Sequence, residues 1–459
     1  MLRYLSRVFK NSQTHIKLRS SDSSLCATGF MVKPVVMDAK LYRVPPEVRG
    51  MTSLDKQAFT QSVSVPALCV STRVLNKVIK SLRKSTIQRP GIARVVNAGS
   101  EDERLILLDP RRVTSTDSFS AAEVEALRSF DVPMELRFHQ LTLTYENLKS
   151  EEVLEAILPP GQDVSSGFSR VGHIIHMNLR DHQLPYKTVI GQVMMDKNPG
   201  VTCVVNKTNV IDTTYRNFKM EVLAGEEDML AKVKENGVTY EFDFSRVYWN
   251  PRLSTEHQRV VQLVKRGDTV FDVFAGVGPF AIPAARAGAE VYANDLNPES
   301  FRWLQHNSRV NKVSGGVRCF NLDGREFVRG PLCQQLPALL LSNANVHVVM
   351  NLPALALDFL DAFKGLLPQQ DPEYNKLPTV HCYGFSKDQN PEEDVVRRAS
   401  QNLGFPLDGR CSVHFVRNVA PNKDMMCVSF TLPKEVLFSL DQDESEPAPK
   451  KQKCDEVTA

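Results

Sequence analysis

A chain of 459 residues is too long for one ordinary hydrophobic core, so two or three domains are expected. Its 42% hydrophobic and 24% charged content is that of a soluble globular protein, and no apolar run reaches the roughly 18 residues of a membrane span. A formal charge of +3 neither requires nor excludes nucleic acid, so any basic footprint has to be local.

Residues 1–21 hold Arg3, Arg7, Lys10, Lys17 and Arg19 and no acid, and Leu2, Leu5, Val8 and Phe9 can share one helical face. That composition predicts a mitochondrial presequence, with a plain basic tail as the alternative. The nine cysteines (26, 69, 203, 319, 333, 382, 411, 427 and 454) form no C-x-x-C pair, which argues for a reducing compartment and against a zinc site or disulfide framework.

Residues 22–150 carry Pro45-Pro46, Gly50 and a predicted helix over 69–82. Lys77, Lys80, Arg83 and Lys84 cluster there, a solvated face or a phosphate contact. From about 135 to 250 the pattern is mixed α/β, ending in 238-VTYEFDFSRVYW-249, which alternates like a half-buried strand. The predicted division is 1–35 presequence, 36–134 N-terminal domain, 135–250 middle α+β domain, 251–435 catalytic domain and 436–459 polar tail. The tail includes Lys450, Lys451 and Lys453, either a nuclear import signal or solvated chain.

After Pro251 strands alternate with helices: strands at 268–274, 289–294, 316–321, 346–350 and 379–384, helices from 279, 298, 324, 354 and 391. Such alternation predicts a parallel doubly wound sheet. Two last strands, 410–419 and 425–433, are joined by a loop too short for a parallel crossover, so they pair antiparallel. An α/β sheet ending in that hairpin, preceded by smaller α+β domains, resembles the plan of class I S-adenosylmethionine methyltransferases.

The sharpest motif is 270-VFDVFAGVGPFAIPAA-285, a strand running into Gly276-Val277-Gly278 before Pro279 opens a helix. By itself it also suits a dinucleotide. Asp272 shifts the balance, because an acid there repels pyrophosphate but can face a cationic methionine end. The next strand ends at Asp295-Leu296, where a carboxylate can accept from ribose hydroxyls and a leucine can pack on adenine. Asp323, before Gly324, can accept from the adenine amino group, and Asn351 ends the fourth strand in the turn Asn351-Leu352-Pro353. Helix capping can explain Asp295 or Asp323 singly but not all these strand ends together.

Ahead of the glycine motif, Thr255 and Gln258 read as a capping box, placing Glu256 in the first turn of a helix. A first-turn acid suits the helix dipole alone. Tyr248, Arg252, Glu256 and His257 crowded at a domain junction suggest a site.

Over about residues 40–435 the chain resembles the eukaryotic and archaeal tRNA (guanine-N1) methyltransferases that act on position 37, beside the anticodon. The resemblance rests on 172-GHIIHMNLRDHQLPYK-187, 191-GQVMMDKNP-199, 215-YRNFKMEVLAG-225, 247-VYWNPRLSTEH-257, 272-DVFAGVGPFAIPAA-285, 294-NDLNP-298, 350-MNLPA-354 and 416-VRNVAPNKDMMCVSF-430. It implies Glu256 as general base for guanine N1, Arg252 stabilising charge on O6, and Asn351 holding the base edge beside Pro353. Tyr248 and Arg216 are the implied substrate contacts, and His257 meets the cofactor's carboxylate or the guanine. The implied cofactor is S-adenosylmethionine, with Asp272, Gly276, Gly278, Asp295, Leu296, Asp323, Gly324 and Asn351 around it and no metal. The implied partner is tRNA, gripped at its anticodon stem-loop and body by a monomer, and the expected locations are mitochondrion, nucleus and cytoplasm. The implied outcome is support of reading-frame maintenance. Rival readings are transfer of the aminocarboxypropyl arm to a tRNA guanosine derivative and a non-catalytic tRNA-binding protein. A nicotinamide oxidoreductase is disfavoured by Asp272 and the terminal hairpin.

Overall fold

The computed structural model describes residues 41, 43–161, 167–211, 218–368 and 374–438. The presequence, Arg216 and the polar tail beyond residue 438 lie outside the described residues; the tail expected from 436 begins later, because Val436 and Leu437 are buried in a short helix. The chain divides into two compact units, one built on residues 62–88 and 92–141, the other on 44–61, 89–91 and everything from 142.

The first unit contains β1 (Gln61–Ser71), α1 (Leu75–Ser81), β2 (Val95–Asn97), β3 (Glu103–Leu107), α2 (Ala121–Ser129) and β4 (Leu136–Leu143), in one sheet ordered β2-β3-β1-β4. The helix expected over 69–82 is shorter. Cys69, Val70 and Ser71 instead finish β1, paired with Leu105, Arg104 and Glu103. The apolar run from Val63 to Val70 is buried against β3 and α1, and that packing outweighs local helix propensity. Helix α1 buries Val78, while Lys77, Lys80, Arg83 and Lys84 are exposed.

The second unit begins with α3 (Ser150–Ile157), β5 (Ser169–Val171), β6 (Ile174–Met177), α4 (Lys187–Lys197), β7 (Cys203–Ile211) and β8 (Phe218–Gly225), the strands ordered β5-β6-β7-β8. Helix α4 lies close on β8: a Cβ at Gly191 would stand 2.6 Å from that of Leu223, so only glycine fits. An antiparallel hairpin follows, β9 (Leu230–Glu235) and β10 (Val238–Asp243), turning at Asn236-Gly237 with positive φ at both. The strand expected to reach 249 stops at Asp243, whose carboxylate accepts from the Ser245 amide and hydroxyl and bends the chain away.

The catalytic-type sheet then builds from α5 (Ser254–Val261), β11 (Thr269–Asp272), α6 (Ala281–Arg286), β12 (Glu290–Asn294), α7 (Pro298–Val310), β13 (Val317–Phe320), α8 (Gly324–Phe327), α9 (Cys333–Leu341), β14 (Val346–Met350), β15 (Thr379–Ser386), α10 (Pro391–Leu403), β16 (Cys411–Ala420), β17 (Lys423–Thr431) and α11 (Lys434–Leu437). Its seven strands run β13-β12-β11-β14-β15-β17-β16; all pairs up to β15 are parallel and β17 is antiparallel to both neighbours. The segment expected to be a helix from 354 winds as a 3-10 helix over Ala356–Phe363. Its entry is tight because the Leu355 and Ala356 amides both bond to the Leu352 carbonyl.

One face of this sheet packs Phe271, Val348, Met350, Val380, Met426 and Val428 against the helices α8 to α10. The other packs Val270, Val349, Tyr383, Met425 and Cys427 against α5, α6 and α7. A further cluster joins Val277 and Ile282 to Tyr240, Phe242 and Trp249, so the β9–β10 hairpin and the sheet share a core. Among the described residues no helix is long and apolar enough to cross a membrane, and no cluster of acidic, histidine or cysteine side chains could hold a metal.

Candidate active site at the sheet edge and helix α5

The carboxyl ends of β11, β12, β13 and β14 carry the residues expected there. Gly276 and Gly278 both hold positive φ, and a Cβ at Gly276 would meet nothing within 4 Å, so the backbone is open to a ligand at that turn. Asp295 clamps the turn: its Oδ2 accepts from the Gly276 amide at 2.8 Å and its Oδ1 from Asn297 at 3.0 Å. Burial raises its pKa to about 6 although part of the residue still reaches solvent. Asn294, quoted in the sequence only as the first residue of 294-NDLNP-298 and given no role there, knits three strand ends through bonds to Val273 and Leu322.

Asp272 is fully buried, and neither carboxylate oxygen has a hydrogen-bond partner of good geometry. Burial, and then the neighbouring Asp295, push its pKa up to about 8; the amides of Phe274 and Ala281 offset this only in part. Asn351, one position past β14, likewise has a buried Oδ1 without a partner. Leu296 is 45% exposed at the same edge. Asp323 caps α8 through the Arg325 amide at 2.8 Å, and Gly324 leaves room for the rings of Phe274 and Phe359, which a Cβ would meet at 2.9 Å. Unpartnered buried acceptors are costly unless a ligand satisfies them. Two neighbouring acids, an open glycine turn and an exposed leucine fit a cationic nucleoside such as S-adenosylmethionine.

Helix α5 lacks the capping box expected from Thr255 and Gln258. It instead continues from a 3-10 turn, Pro251–Leu253, which Asn250 caps by accepting from the Arg252 amide. Glu256 still falls in the first turn and is buried. Its Oε1 accepts from Arg259 Nη2 and Tyr383 Oη, both at 2.6 Å, and its Oε2 from Arg259 Nε at 2.7 Å. His414 Nε2 lies 3.4 Å from Oε2. Burial, with the adjoining Cys427 and Glu256, holds the Tyr383 phenol well above its ordinary pKa, so it is a donor. The partners Arg259, Tyr383 and His414 were not foreseen; only the helical spacing of Glu256 and Arg259 offered a clue.

His257, the next residue, turns to the β9–β10 hairpin and pairs with Glu235 at 2.7 Å, its ring edge-on to Phe280. Tyr248 is 55% exposed and accepts from Asn250 at 3.3 Å. Among the described residues Arg252 reaches only the Phe168 carbonyl, at 3.4 Å. Pro353 accepts at its carbonyl from the Phe385 amide, tying the Asn351 turn to β15. A concavity of about 490 Å³ lined by Arg170, Lys232, Lys234, Trp249 and Ser254 includes none of these strand-end residues.

The chain resembles known proteins along most of its length. Residues 231–402 match the TRM5/TYW2 methyltransferase domain and 150–228 the TYW2 N-terminal domain. The fold is similar to wild-type Trm5b from Pyrococcus abyssi (24% identity, TM-score 0.55) and to aTrm5 solved with tRNALeu (20%, TM-score 0.57), each match covering 80% of this chain and 99% of the other. Sheet order, glycine turn and acidic strand ends define a class I S-adenosylmethionine-dependent methyltransferase. A Danio rerio tRNA (guanine(37)-N(1))-methyltransferase is 64% identical over 92% of this chain and 91% of its own length, and the Homo sapiens protein of that name is 56% identical over 87% and 80%. The chain belongs to the tRNA (guanine(37)-N(1))-methyltransferase family.

Proposed function

We propose that this enzyme methylates N1 of guanosine 37 in tRNA, with Glu256 as the general base. The 64% identity to a relative named for that reaction carries the choice of substrate. The aminocarboxypropyl rival shares the domain descriptions but not the names of these relatives.

Guanine N1 is protonated at neutral pH and is a poor nucleophile until that proton leaves. Arg259 and Tyr383 occupy both lone pairs of Glu256 Oε1 and one of Oε2. The proton is therefore taken at Oε2, from the side on which His414 stands. His414, about half exposed, offers that proton a way to solvent. As N1 loses its proton, charge moves to O6, where Arg252 stabilises it, a role typically worth about 3–4 kcal/mol. The free Oδ1 of Asn351 holds the base edge, and Tyr248 stacks on the everted ring. S-adenosylmethionine supplies a methyl carbon activated by a sulfonium, which leaves as a neutral thioether. Asp272 faces its cationic end.

Everting the base costs a few kcal/mol, which contacts to the rest of the RNA must offset. The exposed Lys77, Lys80, Arg83 and Lys84 of the first unit suit phosphates of the tRNA body. The working unit of this proposal is a monomer. The test is incubation with labelled S-adenosylmethionine and tRNA transcripts having G or A at position 37, followed by nucleoside analysis. Label in 1-methylguanosine from the G transcript alone supports the reading; label in another nucleoside, or from both transcripts, overturns it.

A further inference from the structure

Edge strand β16 is irregular at the point nearest the proposed site. Phe415 pairs with Met426, but the next partner, Met425, is met by Arg417, so Val416 is an inserted bulge residue. Cross-strand partners share a face of a sheet. His414, opposite Cys427, and Arg417, opposite Met425, therefore point to the same face, whereas three residues apart in a regular strand they would oppose each other. That face is the one packed on α5, where Cys427 and Met425 join Leu253 and Val260. Phe415 goes to the other face with Met426.

The bulge thus delivers a half-buried guanidinium to the neighbourhood of Arg252 and Tyr248. Leu253, the neighbour of Arg252, packs in one cluster with Met425, the strand partner of Arg417, so the two cations share one corner, and burial and then the Arg252 charge lower the pKa of Arg417. Among the described residues Arg417 donates only to the Asn418 carbonyl, at 3.2 Å, and no carboxylate pairs with either arginine. Two neighbouring guanidiniums without an anion repel each other, and the arrangement is stable only modestly until an anion arrives. Planar guanidinium forks match phosphate geometry. Charge on a guanine O6 is partial and transient, whereas a phosphodiester charge is permanent.

We propose that Arg417, aimed by the Val416 bulge, clamps a backbone phosphate of the RNA next to the target guanosine while Arg252 beside it serves the guanine O6, and so positions the everted base over Glu256. This rests on the function proposed above. It makes Arg417 a substrate-positioning residue that touches the backbone, not the reacting ring.

The test compares wild type with Arg417→Met, which keeps the aliphatic stem, and Arg417→Lys, which keeps the charge. Direct binding of tRNA is measured across a salt series, together with kcat, KM, the Kd for S-adenosylmethionine and the melting temperature. For Arg417→Met, tRNA affinity is expected to fall about tenfold, KM to rise equally and kcat to stay within about twofold. The slope of log affinity against log salt should shrink by about 0.7–0.9, one phosphate's worth. Arg417→Lys should restore the slope but not the full affinity. Unchanged tRNA affinity and slope in Arg417→Met at unchanged melting temperature overturn the clamp. So does a loss confined to kcat, which moves Arg417 to the ring, or a weaker hold on S-adenosylmethionine, which moves it to the cofactor. If wild type fails to methylate guanosine 37, the parent reading fails, yet the tRNA-binding comparison still decides the clamp.

Discussion

Arg259 grips Glu256 with two hydrogen bonds, 2.7 and 2.6 Å long, from one turn further along the same helix. The buried carboxylate is thereby paired with a guanidinium and fixed in direction. An ionised acceptor is what proton abstraction needs, and one remaining direction of approach makes the acceptor selective. The same grip leaves little tolerance for losing either partner, because an orphaned buried charge typically costs about 3–5 kcal/mol.

Glu256→Gln keeps the shape and some of the bonding but cannot take a proton. It is expected to lower kcat by about 10²–10⁴ while the Kd for S-adenosylmethionine stays within about twofold. Single-turnover kinetics and calorimetry check both. Loss of cofactor binding with kcat preserved would place Glu256 in the cofactor site instead. Arg259→Met should melt at lower temperature than Glu256→Gln, since it alone leaves the carboxylate charged and unpaired.

Asp272 gives a pH-dependent signature. Its pKa of about 8 lies above the value of an unfolded aspartate, so the folded ligand-free protein holds a proton that the unfolded chain releases. That contribution to stability is present below about pH 4 and is lost as pH rises to about 8. Asp272→Asn removes the penalty, so the ligand-free variant should melt higher than wild type, by a margin that grows from pH 5 to pH 8. A cationic ligand favours the ionised form. Wild type should therefore release a proton on binding S-adenosylmethionine below pH 8 and bind it more tightly at pH 8 than at pH 6, and in Asp272→Asn both effects should shrink to what Asp295, pushed up to about 6, still contributes. Calorimetry in buffers of different ionisation enthalpy reads the proton directly; no proton release at pH 7 would remove Asp272 from the cofactor's cationic end.

Asn351 presents an acceptor that nothing among the described residues satisfies. Asn351→Ala removes that unsatisfied atom, so the free enzyme should be as stable as wild type or slightly more so, while kcat falls about 10–100-fold, matching a lost hydrogen bond of about 1.5–3 kcal/mol. Thermal melts beside kcat measurements decide it; a destabilised variant of normal activity would make the residue purely architectural.

The N-terminal composition motivates an expectation about location. A fluorescent fusion lacking residues 1–30 should lose mitochondrial import and keep methylation in vitro. Import by the shortened chain would dismiss the presequence.

Much of the catalytic-type sheet was legible because its strands are short apolar runs between glycine, proline and acidic punctuation. Strand 346–350 and the start of the helix at Pro391 were placed to the residue. The first unit was harder: Cys69–Ser71 look helical locally and become strand only because β3 lies alongside. For the site, the acidic and amide strand ends could be found from the rule that such ends face ligands. The network around Glu256 could not. Arg259, Tyr383 and His414 are brought together by a helix, a central strand and an edge strand, with sequence separations that no local motif encodes. The Val416 bulge was equally hidden, since an inserted residue shows only when the partner strand is in place.

Adjacent residues on α5 look in different directions: Glu256 to Tyr383 in the large sheet, His257 to Glu235 in the small hairpin. Trp249, Tyr240 and Phe242 fill the seam behind them together with Val277 and Ile282 beside the glycine turn. A fragment trimmed to begin at residue 251 would keep every strand of the large sheet yet strip one wall from its own active centre. Such a truncation should be sticky, poorly ordered around α5 and inert on free nucleosides and intact RNA alike. Minimal versions of this enzyme therefore have to start upstream of the hairpin, and inhibitors that wedge beneath it could silence the chemistry without competing for either substrate.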